Sequence, residues 1–416
     1  VAPAVPPPPP PMAPPLPGYA PRTAPARPSA AALFLHRTVT GDWLAALKAA
    51  LWPTGLLFML ALAVAIPATE EMEEIGLGFG ARVRVALALL LQGLGGGFTL
   101  RGEPAAEGWL TPSASNELTL SVVPLTITVL WAGAVALGAR MTHRQSTATA
   151  GPEGTVRIAL LAALGVLLLG LFAQPSVSEV SVSIAPAPAA LWALPLGALA
   201  AAMALCGPQA GAWLATRHGL RSTASALGSA AIAMAVVVAV CGLAGLIWLG
   251  AEQDQDTGWW LLGAFLLMPN MAVGVLGLSW GANVEAENGA TGEGFEYDSL
   301  GLAQLGSELG GWAVVGALLL GVFCALTLGV VAARRSSLRA EQLLAAGFFM
   351  VLFLLLIAVG SVGVEGSADM GFGLSGEGSA KTGVNAAEAL LFGLLWAFGG
   401  AFLGPYLLRL LRSRAT

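Results

Sequence analysis

The chain has 416 residues, of which 56% are hydrophobic and only 10% charged, against about 25% charged in ordinary soluble domains. That balance excludes a molecule covered on all sides by water and makes lipid the solvent for the excess apolar surface. The net charge of −5 argues against nucleic acid as a partner, because phosphate contacts need basic patches.

Residues 1–40 open the chain with an unbroken run from Pro6 to Pro11, then Pro14, Pro15 and Pro17. Proline has a fixed φ and no backbone N–H, so this segment is expected to be a disordered or polyproline II tail. Such a tail fits docking to an aromatic groove on a protein partner. Apolar runs of about 20 residues, the length that crosses about 30 Å of hydrocarbon, then recur. They lie at 50–67, 83–99, 118–139, 157–173, 189–215, 226–250, 259–281, 311–333, 342–364 and 386–408. The first is expected to act as an uncleaved signal anchor. The longest connection, 282–310, is too small for a folded domain, so no soluble catalytic domain is expected between the spans. The fold class is therefore an all-α integral membrane protein with about ten hydrophobic segments.

Charge sets the orientation. Lys and Arg in short loops favour the cytoplasm, and simple alternation of ten transmembrane helices places eleven of them inside and eight outside. If 83–99 and 259–281 enter and leave on the outer side, the count becomes fifteen inside against Arg82, Arg84, Arg101 and Lys381 outside. Both segments carry a break, Gly95-Gly96-Gly97 in one and Met268-Pro269-Asn270 in the other. The expectation is thus eight transmembrane helices plus two re-entrant segments in the plasma membrane, with both termini cytoplasmic; ten simple transmembrane helices are the alternative. The two halves, 41–215 and 216–416, then read as parallel five-element repeats of span, re-entrant, span, span, span, an arrangement known in transporters.

Few residues within the spans can carry chemistry. Asp, Glu, His and Arg at membrane depth mark pumps and ion-coupled carriers, and here the carboxylates Glu308 and Glu388 fall at span edges. Gln92 and Asn270 stand beside the two breaks, where a side-chain amide either satisfies freed backbone groups or meets a solute. The candidate solute-contact or helix-break residues are Gln92, Gly95, Gly96, Gly97, Pro269 and Asn270. Cys206, Cys241 and Cys324 lie in apolar runs without CxxC spacing, and His36, His143 and His218 are far apart in sequence. No cofactor, metal site or catalytic residue is expected from this pattern. The acidic loops around Glu70, Glu71, Glu73 and Glu74 and around Glu285, Glu287, Glu293, Glu296 and Asp298 read as solvated.

Three stretches carry a family likeness: Gly41-Asp42-Trp43 leading to Ala49-Ala50-Leu51-Trp52-Pro53, Leu89-Leu90-Leu91-Gln92-Gly93 leading to Gly95-Gly96-Gly97-Phe98, and Leu267-Met268-Pro269-Asn270-Met271-Ala272-Val273 followed by Gly281. Over most of 41–410 the chain resembles the streptophobe family of actinobacterial multi-pass membrane proteins. It is more distantly similar to actinobacterial membrane proteins linked to cell division. The resemblance implies the architecture and brings no activity. The function expected is a non-enzymatic cell-envelope scaffold or accessory protein, with a transporter or channel for a neutral or weakly polar solute as the alternative.

Overall fold

The computed structural model describes residues 29–66, 78–102, 115–145, 151–174, 176–177, 180–207, 211–212, 216–252, 263–290, 293–369 and 375–413. Residues 1–28 of the expected tail lie outside them. Residues 30–40 differ from that expectation, because Ala30–Thr40 is a helix, α1. The last proline of the tail is Pro28, and Ala30-Ala31-Ala32-Leu33-Phe34-Leu35 follows it. Once proline stops, strong helix formers take over, and the Ser29 hydroxyl caps the new helix by accepting from the Ala32 N–H at 3.2 Å.

Helix α2 spans Trp43–Ala65 and begins at Asp42, whose carboxylate accepts from the Ala45 N–H at 3.0 Å. Helix α3 is short, Phe79–Leu91, and tightens into a 3-10 turn at Gln92–Leu94. Strands β1 (Phe98–Gly102) and β2 (Ser115–Ser121) follow, then α4 (Leu125–Gln145) and α5 (Pro152–Phe172). Strands β3 (Ser176–Val177) and β4 (Val180–Ile184) precede α6 (Pro186–Leu205). The second half contains α7 (His218–Glu252), the short α8 (Met268–Trp280), β5 (Val284–Ala290), β6 (Glu293–Leu300) and α9 (Leu302–Leu309). It ends with α10 (Gly311–Arg335), α11 (Arg339–Gly360), β7 (Val362–Asp369), β8 (Ser375–Val384) and α12 (Ala386–Ser413).

Eight of these helices, α2, α4, α5, α6, α7, α10, α11 and α12, are long and apolar enough to cross a membrane. Only 28% to 44% of each span's most apolar window is buried inside the protein. Leu51, Met59, Leu168, Leu191, Leu319 and Leu395 all stand exposed on span helices, and lipid is the solvent that such surfaces require. Helices α3 and α8 have 13 residues each, about 20 Å at 1.5 Å per residue, well short of the hydrocarbon thickness.

The buried apolar residues form two main clusters, one drawn from 46–205 and the other from 230–401. The same helix pairs pack in each half: α2 with α4 and α5 and α6 with both, then α7 with α10 and α11 and α12 with both. Where two helices come closest the residues are small. A β-carbon built on Gly329, Gly400 or Gly404 would run into the backbone of the facing helix in the α10/α12 pair, the close approach that small residues permit in membrane bundles.

The connections at one end of the bundle are strands, where the sequence reading placed only polar loops. They form one eight-stranded sheet in the order β3-β4-β1-β2-β7-β8-β5-β6. Phe98, Leu120 and Ile184 stand in one cross-strand row and pack on the first half's core. Burial of that apolar face is what holds these short, Gly-rich and Ser-rich strands together. Between the halves, β2 pairs antiparallel with β7 from Ser115↔Asp369 to Ser121↔Gly363. Arg101 and Lys381 lie in the sheet, whereas Arg140, Arg221, Arg334, Arg335 and Arg339 sit at helix ends remote from it.

Candidate functional site

The site starts from the end of α3. Gly95 has φ 81°, a left-handed conformation that favours glycine. Its N–H donates to the Gln92 carbonyl at 2.9 Å and the Gly96 N–H to the Leu91 carbonyl at 3.2 Å, the pairing that closes a helix on a left-handed residue. The three following glycines differ in their surroundings. A β-carbon on Gly95 would lie 2.8 Å from Trp192 Cδ1, one on Gly96 would lie 2.9 Å from Ile184 Cδ1, and one on Gly97 would meet nothing. Gln92, 4% exposed, donates through Nε2 to the Leu120 carbonyl at 3.1 Å. The Thr128 hydroxyl donates to the Gly93 carbonyl, so the turn is tied to both β2 and α4.

Helix α8 carries the other pair. Pro269 lies in the first turn, where a missing N–H costs nothing, just after a turn at Leu267 that separates α8 from helical residues 263–266, so it opens the helix that follows the break. Asn270 uses its whole amide. Its Nδ2 donates to the Val123 carbonyl at 2.8 Å and to the Gly360 carbonyl at 3.4 Å, and its Oδ1 accepts from the Leu125 N–H at 3.2 Å. Next to it, the Thr126 hydroxyl donates to the Phe265 carbonyl at 3.1 Å. One asparagine of the second half thereby grips the chain between β2 and α4 of the first.

Between the halves, beside the sheet, is a cavity of about 730 Å³. Gln92, Gly95, Gly96 and Gly97 line it, as do Trp192 and Leu196 of α6. Its second-half wall includes Val359, Ser361, Glu365, Lys381 and Glu287. Pro269 and Asn270 do not line it. Asn270 instead holds Val123 and Leu125, which do. Of the six sequence candidates, four thus line the cavity, and of the other two Asn270 bonds to residues that line it.

Two arrangements escaped the sequence reading because each joins residues far apart in the chain. Glu388, read from the sequence only as a carboxylate at a span edge, accepts from the Asn283 backbone N–H at 2.7 Å and so ties the end of α8 to α12. Cys241 and Cys324 bring their sulfurs to 3.6 Å in the second half's core. Asn283 and Glu388 are 105 positions apart, and the two cysteines 83; no local motif signals either. Among the described residues no group of three or more His, Cys, Asp or Glu is placed to hold a metal. The acidic stretch at 70–74 lies outside the described residues.

No protein-family model, curated protein or solved structure matches the chain.

Proposed function

We propose that this is a non-enzymatic accessory protein of the cell envelope, whose two halves clasp a receiving chamber on the outer face of the plasma membrane. In this reading both termini are cytoplasmic, α3 and α8 enter and leave on the outer side, and 41–215 and 216–416 are parallel repeats. The placement of basic residues supports the orientation. The repeat is supported by detail no composition could mimic: Gly281 also has a positive φ, 99°. Its N–H donates to Leu278 and that of Ala282 to Gly277, matching Gly95 and Gly96. The sheet follows the same rule, with the later hairpin of each half preceding the earlier one. The likeness to the streptophobe family belongs to the same proposal.

The observation that carries the reading is that both halves build one sheet and one chamber at the same end, locked by Asn270. Gln92, Gly95 and Gly96 at that wall are bonded and packed into their neighbours, as a fixed receptor wall requires. Single cysteines at Ser367, Thr382 and Ser337, in a background lacking the three native cysteines, test the sidedness. An impermeant maleimide applied to intact cells should label the first two and spare the third; the reverse pattern removes the proposal.

Transport of a neutral or weakly polar solute is the second reading, favoured by Gln92 and the Gly95–Gly97 turn lying on the chamber wall, since solute sites at broken helices are a transporter feature. Gln92→Leu should then abolish uptake at normal membrane levels; an unchanged phenotype favours the accessory role.

A further inference from the structure

The chamber has two chemically distinct ends, and the sheet register shows why. Ser121, Gly363, Lys381 and Glu287 form one cross-strand row through β2, β7, β8 and β5. Glu365 and Ser379 are paired two residues along the same strands. Side chains alternate between faces with period two, so Lys381, Glu287 and Glu365 share one face, and all three line the chamber. Lys381 is one of only two lysines in the chain, and among the described residues it makes no ion pair. The other end is apolar. Trp192 and Leu196 come from α6 and Val359 from α11, all three on membrane-spanning helices. Trp192 is 62% exposed and Val359 44%, so this rim opens on the surface that lipid covers.

One cation flanked by two carboxylates above an apolar rim matches a head carrying both signs of charge joined to a hydrocarbon chain. We infer that the chamber binds a zwitterionic amphiphile of the phosphoethanolamine class. Its phosphate would meet Lys381, its ammonium Glu287 and Glu365, and its chain would leave past Trp192 and Val359. A purely anionic head would face two carboxylates for one lysine, which opposes it. A chainless solute would leave the apolar rim uncovered. This inference rests on the receiving chamber proposed above and adds its ligand.

The test uses the full chain purified in detergent and equilibrated with equal amounts of palmitoyl-oleoyl phosphatidylethanolamine and phosphatidylglycerol. Retained lipid is counted by native mass spectrometry. The expected result is one retained phosphatidylethanolamine, favoured at least about fivefold. Lys381→Ala and the double variant Glu287→Gln/Glu365→Gln should each bring the two lipids to parity. Val359→Trp, which fills the rim without touching a charge, should lower retention of both. A thermal unfolding curve for each variant identifies any that has lost its fold, and the three act at separate points on the wall. Equal retention by the wild-type chain, or a preference that none of the folded variants moves, overturns the inference. Displacement of the lipid by millimolar free phosphoethanolamine would assign the site to a soluble zwitterion and overturn the amphiphile. Failure of the chamber reading itself would appear separately, in the cysteine labelling.

Discussion

The Nδ2 of Asn270 lies 2.8 Å from the carbonyl oxygen of Val123, 147 positions earlier in the chain. With the Leu125 N–H on Oδ1, a single side chain satisfies two backbone groups of the opposite half. Asn270→Leu keeps the size and removes both partners. Each buried group left unpaired costs about 1–3 kcal/mol, so the variant should unfold several degrees lower in detergent and expose the chain before α4 to protease. Unchanged melting would mean that the clasp holds nothing.

Gly95→Ala should destabilise through two separable terms. A side chain at φ 81° costs about 1–2 kcal/mol, and the new methyl group would lie 2.8 Å from Trp192 Cδ1. Trp192→Ala in the same chain removes the contact and leaves the backbone term. The double variant should therefore recover part of the loss relative to Trp192→Ala alone, a coupling that a double-mutant cycle on thermal unfolding measures directly.

Neighbouring glycines on α12 give an internal control. A β-carbon on Gly400 would strike the backbone of Ala325, whereas one on Gly399 meets nothing within 4 Å. Gly400→Leu should cost at least the roughly 1–3 kcal/mol of an overpacked core, lowering yield and melting temperature. Gly399→Leu should be tolerated. Equal effects would show that the α10/α12 contact is loose enough to admit a side chain.

Glu388→Ala withdraws the acceptor from the Asn283 N–H, a bond of 2.7 Å to a charged group of the kind worth about 1.5–3 kcal/mol. Hydrogen exchange should report it locally, with faster exchange around Asn283 and little change at the remote helix ends. Glu388→Gln keeps an oxygen acceptor and should lie between the two.

The spans were legible because a twenty-residue apolar run is a long signal, and each of the eight crossing helices overlaps one expected range. Their ends were less so: the range expected to begin at 118 starts as a helix at Leu125, because Ser115–Ser121 is taken by β2. The break in the first short segment was visible in Gly95-Gly96-Gly97. The break in the second was visible in Met268-Pro269-Asn270, beside the turn at Leu267 that separates helical residues 263–266 from α8. The sheet was hidden for a physical reason. β8 reads Ser-Gly-Glu-Gly-Ser-Ala-Lys-Thr-Gly-Val, with hardly a residue of high strand preference; its order comes from β5 and β7 on either side. Lys381 and Glu287 were both visible as residues, but their place in one row depends on a register that local sequence does not encode.

The seam between β2 and β7 also imposes an order in time. Ser121 is synthesised long before Val362, and at roughly 5–20 residues per second the delay is on the order of 10–50 seconds. During it the first half can insert and pair β2 with β1, leaving the other side of β2 as an open strand edge. Asn270 arrives within that interval and reaches the chain just past β2 before β7 exists. The clasp is therefore available as a temporary anchor, holding the waiting edge in place until α11 has been threaded and the last hairpin can close the sheet.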